Sequence, residues 1–250
     1  MKVLELFSGT ESFSKVARER GHECFTVDNE PKFNPSLCID IMQLTPEMIL
    51  EKFGKPDIIW ASPPCTKFSV MTIYRNWGKS GDNYFPKNDE TRQAMDIVAH
   101  TLSLIYSLNP KFWIIENPRG MLRKQLFMPN DKRKTVTYCQ YGLEYQKATD
   151  LWNNIDNWHP KPMCSPKSPC HVRAPRGSRY GVQGVNGLRK NRNQKHLDIS
   201  RIRDYGKKRE SLHPRDLYAT MEYNWDGSAR VRRGIIPPAL CKEILEACEQ

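Results

Sequence analysis

No run of apolar residues in this 250-residue chain approaches the roughly 20 residues that a membrane-spanning helix needs. The chain also has no internal repeat, and it opens on a strand-like run rather than on a signal peptide. Its eight cysteines are scattered, without the spacing of a disulfide framework. We therefore expect free thiols, a reducing cytoplasmic setting and no association with a membrane.

Acidic residues are scarce in one segment, 159–233, which has 18 Lys and Arg against 6 Asp and Glu. The rest of the chain has a net charge of −1, so the whole excess of +11 arises from this segment. The segment is rich in Gly, Pro, Ser and Asn, and its interleaved aromatic residues argue against disorder. This composition favours contact with nucleic-acid phosphates over a solvated basic face or a disordered arm.

Strand-like and helix-like patterns alternate through the first 158 residues and return at the end of the chain. This alternation predicts an α/β domain with a doubly wound, parallel sheet, formed by residues 1–158 and 234–250. The loop-rich basic segment 159–233 would be a small separate recognition lobe. The polar, turn-rich stretch 70–89 predicts a loop that closes over a site. Strands are expected at 2–7, 23–27, 38–41, 57–61, 112–115, 135–138 and 148–152, and helices at 12–20, 45–53, 90–108 and 237–249.

Two short loops carry the residue types that catalysis needs. Pro63-Pro64-Cys65 follows the strand expected at 57–61, and Glu116-Asn117-Pro118 follows the one at 112–115. Ligands collect at the carboxyl ends of strands in open α/β sheets, so Cys65 and Glu116 could act on one substrate as nucleophile and acid. A buried, unreactive thiol is the usual alternative for a cysteine, but the stiff prolines and the strand-end position favour a nucleophile.

Three further strand ends indicate a ligand that contains adenosine. Phe7-Ser8-Gly9 forms a small-residue turn before the first helix, although Glu11 stands where a dinucleotide fingerprint has its third glycine. Asp28, at the end of the second strand, could accept from ribose hydroxyls, and Asp40, at the end of the third, from an adenine amino group. Each acid taken singly could equally be a surface carboxylate or a helix cap, but their order along the chain favours the ligand.

These residues together resemble the DNA cytosine-C5 methyltransferase family. Leu6-Phe7-Ser8-Gly9 is similar to its cofactor motif, Pro64-Cys65-Thr66-Lys67-Phe68-Ser69 to its nucleophile loop, and Glu116-Asn117-Pro118 to its base-binding tripeptide. The motifs occur in the family's order and at about its spacing. The chain is short for the family, and in this it is similar to phage-encoded solitary members.

The resemblance implies methyl transfer from S-adenosylmethionine to C5 of a cytosine flipped out of double-stranded DNA, through a covalent adduct of Cys65 with C6 and with Glu116 at N3. It implies a monomer in the cytoplasm of a bacterial or phage-infected cell. The expected cofactor-binding residues are Phe7, Ser8, Gly9, Asp28, Asp40 and Pro63. The expected substrate-binding residues are Pro64, Ser69, Asn117, Pro118, Arg173, Arg176 and Arg179, the three arginines being candidate readers of base edges.

The chain departs from the family pattern in two places. The Gln-x-Arg-x-Arg motif is only faintly matched by Gln146-Lys147-Ala148-Thr149, and Gly234 stands where the last motif has an asparagine. Three alternatives therefore stay open: an RNA cytosine-C5 methyltransferase acting on tRNA, a DNA-binding protein without catalysis, and an enzyme that uses a carboxylated form of S-adenosylmethionine.

A second cluster of polarisable side chains lies at the start of the basic segment. His159, Cys164, Cys170 and His171 are separated by prolines and could wrap a tetrahedral zinc ion. The cluster lacks a tight Cys-x-x-Cys pair, so we expect unliganded loop residues and no metal.

Overall fold

The computed structural model describes residues 1–143, 146–165, 168–170 and 234–250. Most of the basic segment lies outside these ranges. The predictions for Arg173, Arg176, Arg179 and His171 therefore fall outside the described residues. The division into two domains stays a prediction for the same reason.

A mixed sheet of seven strands, in the order β3-β2-β1-β4-β7-β9-β8, forms the centre of the described residues. Strands β1, β2, β3, β4 and β7 pair in parallel, whereas β9 is antiparallel to both β7 and β8. The sheet strands are β1 (Lys2–Leu6), β2 (Glu23–Asp28), β3 (Leu37–Cys38), β4 (Ile58–Ala61), β7 (Phe112–Pro118), β8 (Arg133–Thr137) and β9 (Ala148–Asn153), and β5 (Trp77–Ser80) and β6 (Asn83–Pro86) form a separate hairpin. The helices are α1 (Ser12–Glu19), α2 (Pro46–Lys52), α3 (Ile73–Asn76), α4 (Asp89–Leu108) and α5 (Pro238–Glu249).

Helices cover both faces of the sheet because the side chains of each strand alternate between them. On β4, Ile58 and Trp60 pack with α1 and α5, whereas Ile59 and Ala61 pack with α2 and α4. All four side chains are fully buried. Strands that are apolar on both faces are typical of a doubly wound parallel sheet, so the predicted fold class is confirmed.

Helix α1 begins over a buried carboxylate. Glu5, on β1, accepts hydrogen bonds from the backbone N–H of Phe13 (3.3 Å) and of Ser14 (2.8 Å). These N–H groups lie in the first turn of the helix, where they have no helical partner. Burial raises the pKa of Glu5 to about 7, because the interior disfavours its charged form.

Helix α5 returns the end of the chain to the first helix. Leu240 and Ile244 are fully buried in the core that α1 also forms, and the Ile236 N–H donates to Ser12 Oγ at 3.3 Å. At the surface, Arg20 forms an ion pair with Glu249. The helix expected at 237–249 is therefore confirmed, together with its packing on the first domain.

Two local predictions were wrong. The stretch 70–89 was expected to be a loop, but it contains α3 and the β5–β6 hairpin. Trp77 anchors this stretch because its ring is buried and its Nε1–H donates to the Lys67 carbonyl at 2.7 Å. The third strand was expected at 38–41, but it ends at Cys38, and Asp40 caps the 3-10 turn Ile41–Gln43.

The longest of the described helices is α4, with 20 residues. None of the helices in the described ranges combines the length and the apolar character that crossing a membrane requires.

Candidate active site

The loop after β4 holds Cys65 in a tight turn. The backbone N–H groups of Phe68 and Ser69 both donate to the Cys65 carbonyl, at 3.0 and 2.9 Å. Pro63 is buried and Pro64 is exposed, so the chain leaves the core between them. Cys65 is half-buried and lies four residues beyond the end of β4.

Hydrogen bonds tie this loop to the end of β7. Asn117 Nδ2 donates to the Pro63 carbonyl at 3.0 Å, and the Met121 N–H donates to the Phe68 carbonyl at 2.7 Å. Gly120 lies at the closest approach, where a Cβ atom would stand 2.2 Å from the Phe68 oxygen. A side chain at position 120 would therefore force the two loops apart. The structure thus brings the predicted nucleophile loop and the predicted base-binding tripeptide together.

Glu116 is 5 % exposed and lies between a phenol and an ammonium group. Tyr138 Oη donates to Glu116 Oε1 at 2.8 Å, and Lys147 Nζ lies 3.6 Å from the same oxygen. Lys147 also lies over the Tyr138 ring, 4.6 Å from its centroid. Among the described residues, the hydrogen bond from Tyr138 and the ion pair with Lys147 both fall on Oε1.

Tyr138 and Lys147 were not predicted from the sequence. Lys147 belongs to the stretch that faintly matches the Gln-x-Arg-x-Arg motif, and it supplies a cation to Glu116 although the arginines are missing. Its position follows from β9, which pairs antiparallel with β7, Pro118 opposite Thr149. The sequence shows a basic residue just before β9, but it does not specify the register that brings this residue to Glu116.

The turn after β1 has an unusual backbone. Phe7 and Gly9 both have positive φ values, 58° and 45°. For a bulky residue such as Phe7 this conformation costs on the order of 1–3 kcal/mol, and such strain is concentrated at functional sites. Ser8 Oγ is buried and has no hydrogen-bond partner among the described residues.

Asp28 closes the same turn from the end of β2. Its Oδ2 accepts from the Gly9 N–H at 2.8 Å, and its Oδ1 accepts from the Glu30 N–H at 2.9 Å. Asp28 therefore shapes the turn as well as facing it. Asp40 is exposed beyond β3, and its Oδ1 accepts from the Met42 N–H at 2.9 Å.

The cysteine cluster differs from the predicted one. His159 is exposed, and the described residues instead group Cys139 with Cys164 and Cys170. Cys139 follows Tyr138 in a 3-10 turn and was not part of the predicted cluster.

Comparison with known proteins decides the family. Residues 1–146 match the family model described as C-5 cytosine-specific DNA methylase. The chain belongs to this family. The resemblance read from the sequence motifs is therefore confirmed, and so is the expectation of an enzyme of the methyltransferase class.

Individual proteins also resemble this chain. The chain is 32% identical over 176 residues to a Frog virus 3 (isolate Goorha) protein named "Probable DNA (cytosine-5)-methyltransferase", covering 68% of this chain and 78% of that one. A solved structure of Spodoptera frugiperda DNMT2, a triple mutant, covers 100% of this chain and 99% of its own at 13% identity, with a TM-score of 0.51. The S. pombe Dnmt2 methyltransferase covers 60% of this chain and 50% of its own at 17% identity, with a TM-score of 0.42.

Proposed function

We propose that this protein transfers a methyl group from S-adenosylmethionine to C5 of a cytosine in double-stranded DNA, with Cys65 as the nucleophile and Glu116 as the group that binds N3. The single observation that supports these roles most strongly is the Asn117–Pro63 hydrogen bond, because it fixes the cysteine loop against the strand end that carries Glu116. Family membership supports the reaction class.

Each of these residue types has a chemical task. The cytosine C5 atom is too weak a nucleophile to take up a methyl group unaided. Addition of the Cys65 thiolate to C6 turns the ring into an enamine whose electron density lies on C5. Glu116, held through Oε1 by Tyr138 and Lys147, hydrogen-bonds N3 and shares a proton with it as charge develops there. After the transfer, solvent takes the C5 proton, and the electrons of that bond expel the Cys65 thiolate.

The turn after β1 fits the adenosine-containing donor. Ser8 Oγ is buried and has no hydrogen-bond partner within the described ranges, and Phe7 beside it is strained. Both lie in the turn next to the switch point between β1 and β4, where open α/β sheets bind ligands. We assign Phe7 to the adenine ring, Asp28 to the ribose and Asp40 to the adenine amino group, with Gly9 and Pro63 lining the site. The donor supplies an electrophilic methyl group when it is bound.

The basic segment supports DNA as the substrate. Its net charge of +12 provides attraction to phosphates, and we assign it the role of the target-recognition lobe. Pro64, Ser69, Asn117 and Pro118 would contact the extruded cytosine. Extrusion from the duplex costs a few kcal/mol, which the phosphate contacts can offset. We infer a monomer that acts in the cytoplasm of a bacterial or phage-infected cell.

Covalent trapping tests the role of Cys65. Duplex DNA that contains 5-fluorocytosine should form a denaturant-resistant adduct with the wild type when S-adenosylmethionine is added, because fluorine cannot leave C5 as a proton does. Cys65→Ser should form no adduct, and Cys65→Ala should lose turnover while keeping its affinity for DNA. Cys38→Ser is the matched control, since Cys38 is an exposed cysteine on β3. An adduct that persists in Cys65→Ser would overturn the assignment.

The same assay separates the open alternatives. A preference for tRNA over duplex DNA would make the protein an RNA methyltransferase, and product with an added carboxyl group would identify a carboxylated donor. DNA binding without adduct or product would indicate a non-catalytic protein. Calorimetric titration with S-adenosylmethionine should show binding that weakens in Asp28→Ala.

A further inference from the structure

Three cysteines that are distant in the sequence meet beside the Glu116 network. Cys139 lies in the 3-10 turn after β8, and Cys164 and Cys170 lie beyond β9. Their three sulfur atoms all lie within 4.8 Å of one another. Cys139 Sγ is 3.1 Å from Cys164 Sγ and 3.7 Å from Cys170 Sγ.

These separations match a shared metal ion better than a disulfide. Zn–S bonds of about 2.3 Å at tetrahedral angles place sulfur atoms about 3.8 Å apart, close to the Cys139–Cys170 distance. A disulfide requires about 2.05 Å, well below both distances, and it would leave the third thiol unused. Clustered cysteines in an enzyme of a reducing compartment are more often metal-binding than bridged.

The surroundings also suit thiolate ligands. Gln146 Nε2 donates to Cys164 Sγ at 3.1 Å, and Gln140 Nε2 lies 3.8 Å from Cys170 Sγ. Such N–H donors stabilise negative charge on sulfur, as outer partners commonly do around metal ligands. The Cys164 N–H donates to Thr137 Oγ1 at 3.0 Å, which fixes the backbone of this ligand against β8.

We propose that Cys139, Cys164 and Cys170 bind one structural Zn²⁺ ion, with the fourth position taken by a nitrogen or oxygen ligand. This departs from the expectation of unliganded loop residues, which overlooked Cys139. The ion would link Cys164 and Cys170, in the first residues of the basic segment, to Cys139, which follows β8. It would also steady both partners of Glu116, since Tyr138 precedes Cys139 and Lys147 follows Gln146 in the chain. The case for this site does not rest on the proposed reaction.

Metal analysis of the full-length protein tests the site. Protein purified from cells supplied with zinc should contain about one zinc per chain, the stoichiometry of a single structural site. Cys139→Ser, Cys164→Ser and Cys170→Ser should each lower that content about tenfold, whereas the control Cys38→Ser should keep it. Removal of zinc with a chelator should lower the melting temperature of the wild type, because the binding energy of a structural ion contributes to folding.

A spectroscopic measurement keeps the proposal testable if a serine variant fails to fold. The wild type loaded with Co²⁺ should show a thiolate-to-metal charge-transfer band and the intense visible bands of tetrahedral cobalt. X-ray absorption of the zinc protein should show three sulfur ligands and one lighter ligand. Wild-type protein without zinc, a metal content unchanged in all three variants, or a Cys139–Cys164 disulfide found by mass spectrometry under non-reducing conditions would each overturn the proposal.

Discussion

Lys147 is the residue that best illustrates how a departure from a motif can preserve its chemistry. A buried carboxylate needs a partner, because an uncompensated charge in the interior is costly. Lys147 supplies that partner to Glu116 from the first position before β9, 3.6 Å away. The arginine of the family motif is absent, yet Lys147 still places a positive charge beside Oε1.

Replacement of Lys147 should therefore show how much of the reaction rate depends on the positive charge of its side chain. Lys147→Met should lower kcat by about 10²-fold, the lower end of what a positioned acid–base group contributes, with little change in KM for DNA. Lys147→Arg should recover most of the rate because it keeps the cation. Single-turnover methyl transfer measures both. Lys111→Met is the control, since it removes an exposed lysine just before the start of β7, at the opposite end of that strand. A Lys147→Met enzyme with the wild-type rate would contradict this role.

Glu5 makes the stability of the fold depend on pH in an uncommon direction. Its pKa is raised to about 7 in the folded protein, so the folded state holds this proton more tightly than the unfolded state. Stability from this group is complete below about pH 4.5 and is lost as the pH rises towards 7. The loss of unfolding free energy amounts to ~3 kcal/mol, since each unit of the pKa difference between the folded and unfolded states corresponds to about 1.4 kcal/mol.

Glu5→Gln tests this dependence because glutamine cannot ionise. Relative to the wild type, the variant should gain stability between pH 5 and pH 7, measured by urea unfolding at several pH values. Glu19→Gln, on the exposed side of α1, should follow the wild-type curve. The ion pair of Glu249 does not affect this comparison. Its partners lower the pKa of Glu249 to about 2, so the contribution of this pair to stability changes with pH only below the tested range. Parallel curves for Glu5→Gln and wild type would show that Glu5 is not the cause.

At the scale of elements, α5 is the part that completes the core from the far end of the chain. It lies on α1 and the same face of the sheet, with Leu240, Ile244 and Leu245 fully buried. The ion pair of Arg20 with Glu249 is at the surface and adds about 1 kcal/mol or less. Burial of apolar side chains therefore dominates the docking of this helix.

Ile244→Ala should cost about 2–5 kcal/mol of unfolding free energy, because it removes a side chain from a packed core and leaves a cavity. Lys242→Ala, two residues away on the exposed side of the helix, should change stability by less than about 0.5 kcal/mol. Chemical denaturation at fixed pH measures both. Equal effects of the two variants would mean that α5 is not held by its apolar face.

Whether an element could be predicted from the sequence depends on the pattern that its apolar and polar residues form. The strands around Trp60 and Ile114 were predictable because both of their faces are apolar. The β5–β6 hairpin was missed because each of its strands has only four residues and neither shows a clear alternation of apolar and polar side chains. The contacts of Tyr138 and Lys147 with Glu116 could not be predicted, because they depend on the antiparallel register of β9, which sequence periodicity does not specify.

For the whole molecule, the separation of charge predicts how DNA binding should respond to salt. Each phosphate contact that is lost should flatten the plot of log affinity against log salt by about one unit. Replacement of a lysine or arginine of segment 159–233 that contacts phosphate should weaken binding to all sequences alike. Arg173→Ala, Arg176→Ala and Arg179→Ala should instead relax the methylated motif. Bisulfite sequencing and titrations at two salt concentrations distinguish these outcomes. Deletion of 172–230 without any change in affinity or motif would exclude a recognition role.

The return of α5 to α1 also bears on how such an enzyme can change its target. Cys164 and Ile236, on the two sides of segment 171–233, are both buried among the described residues. Both flanks of segment 171–233 are thus buried, and doubling the length of an inserted loop costs only about 0.6 kcal/mol in closure entropy. On the recognition role proposed for segment 159–233, grafting another sequence between positions 170 and 234 should exchange the target specificity while the core stays as it is.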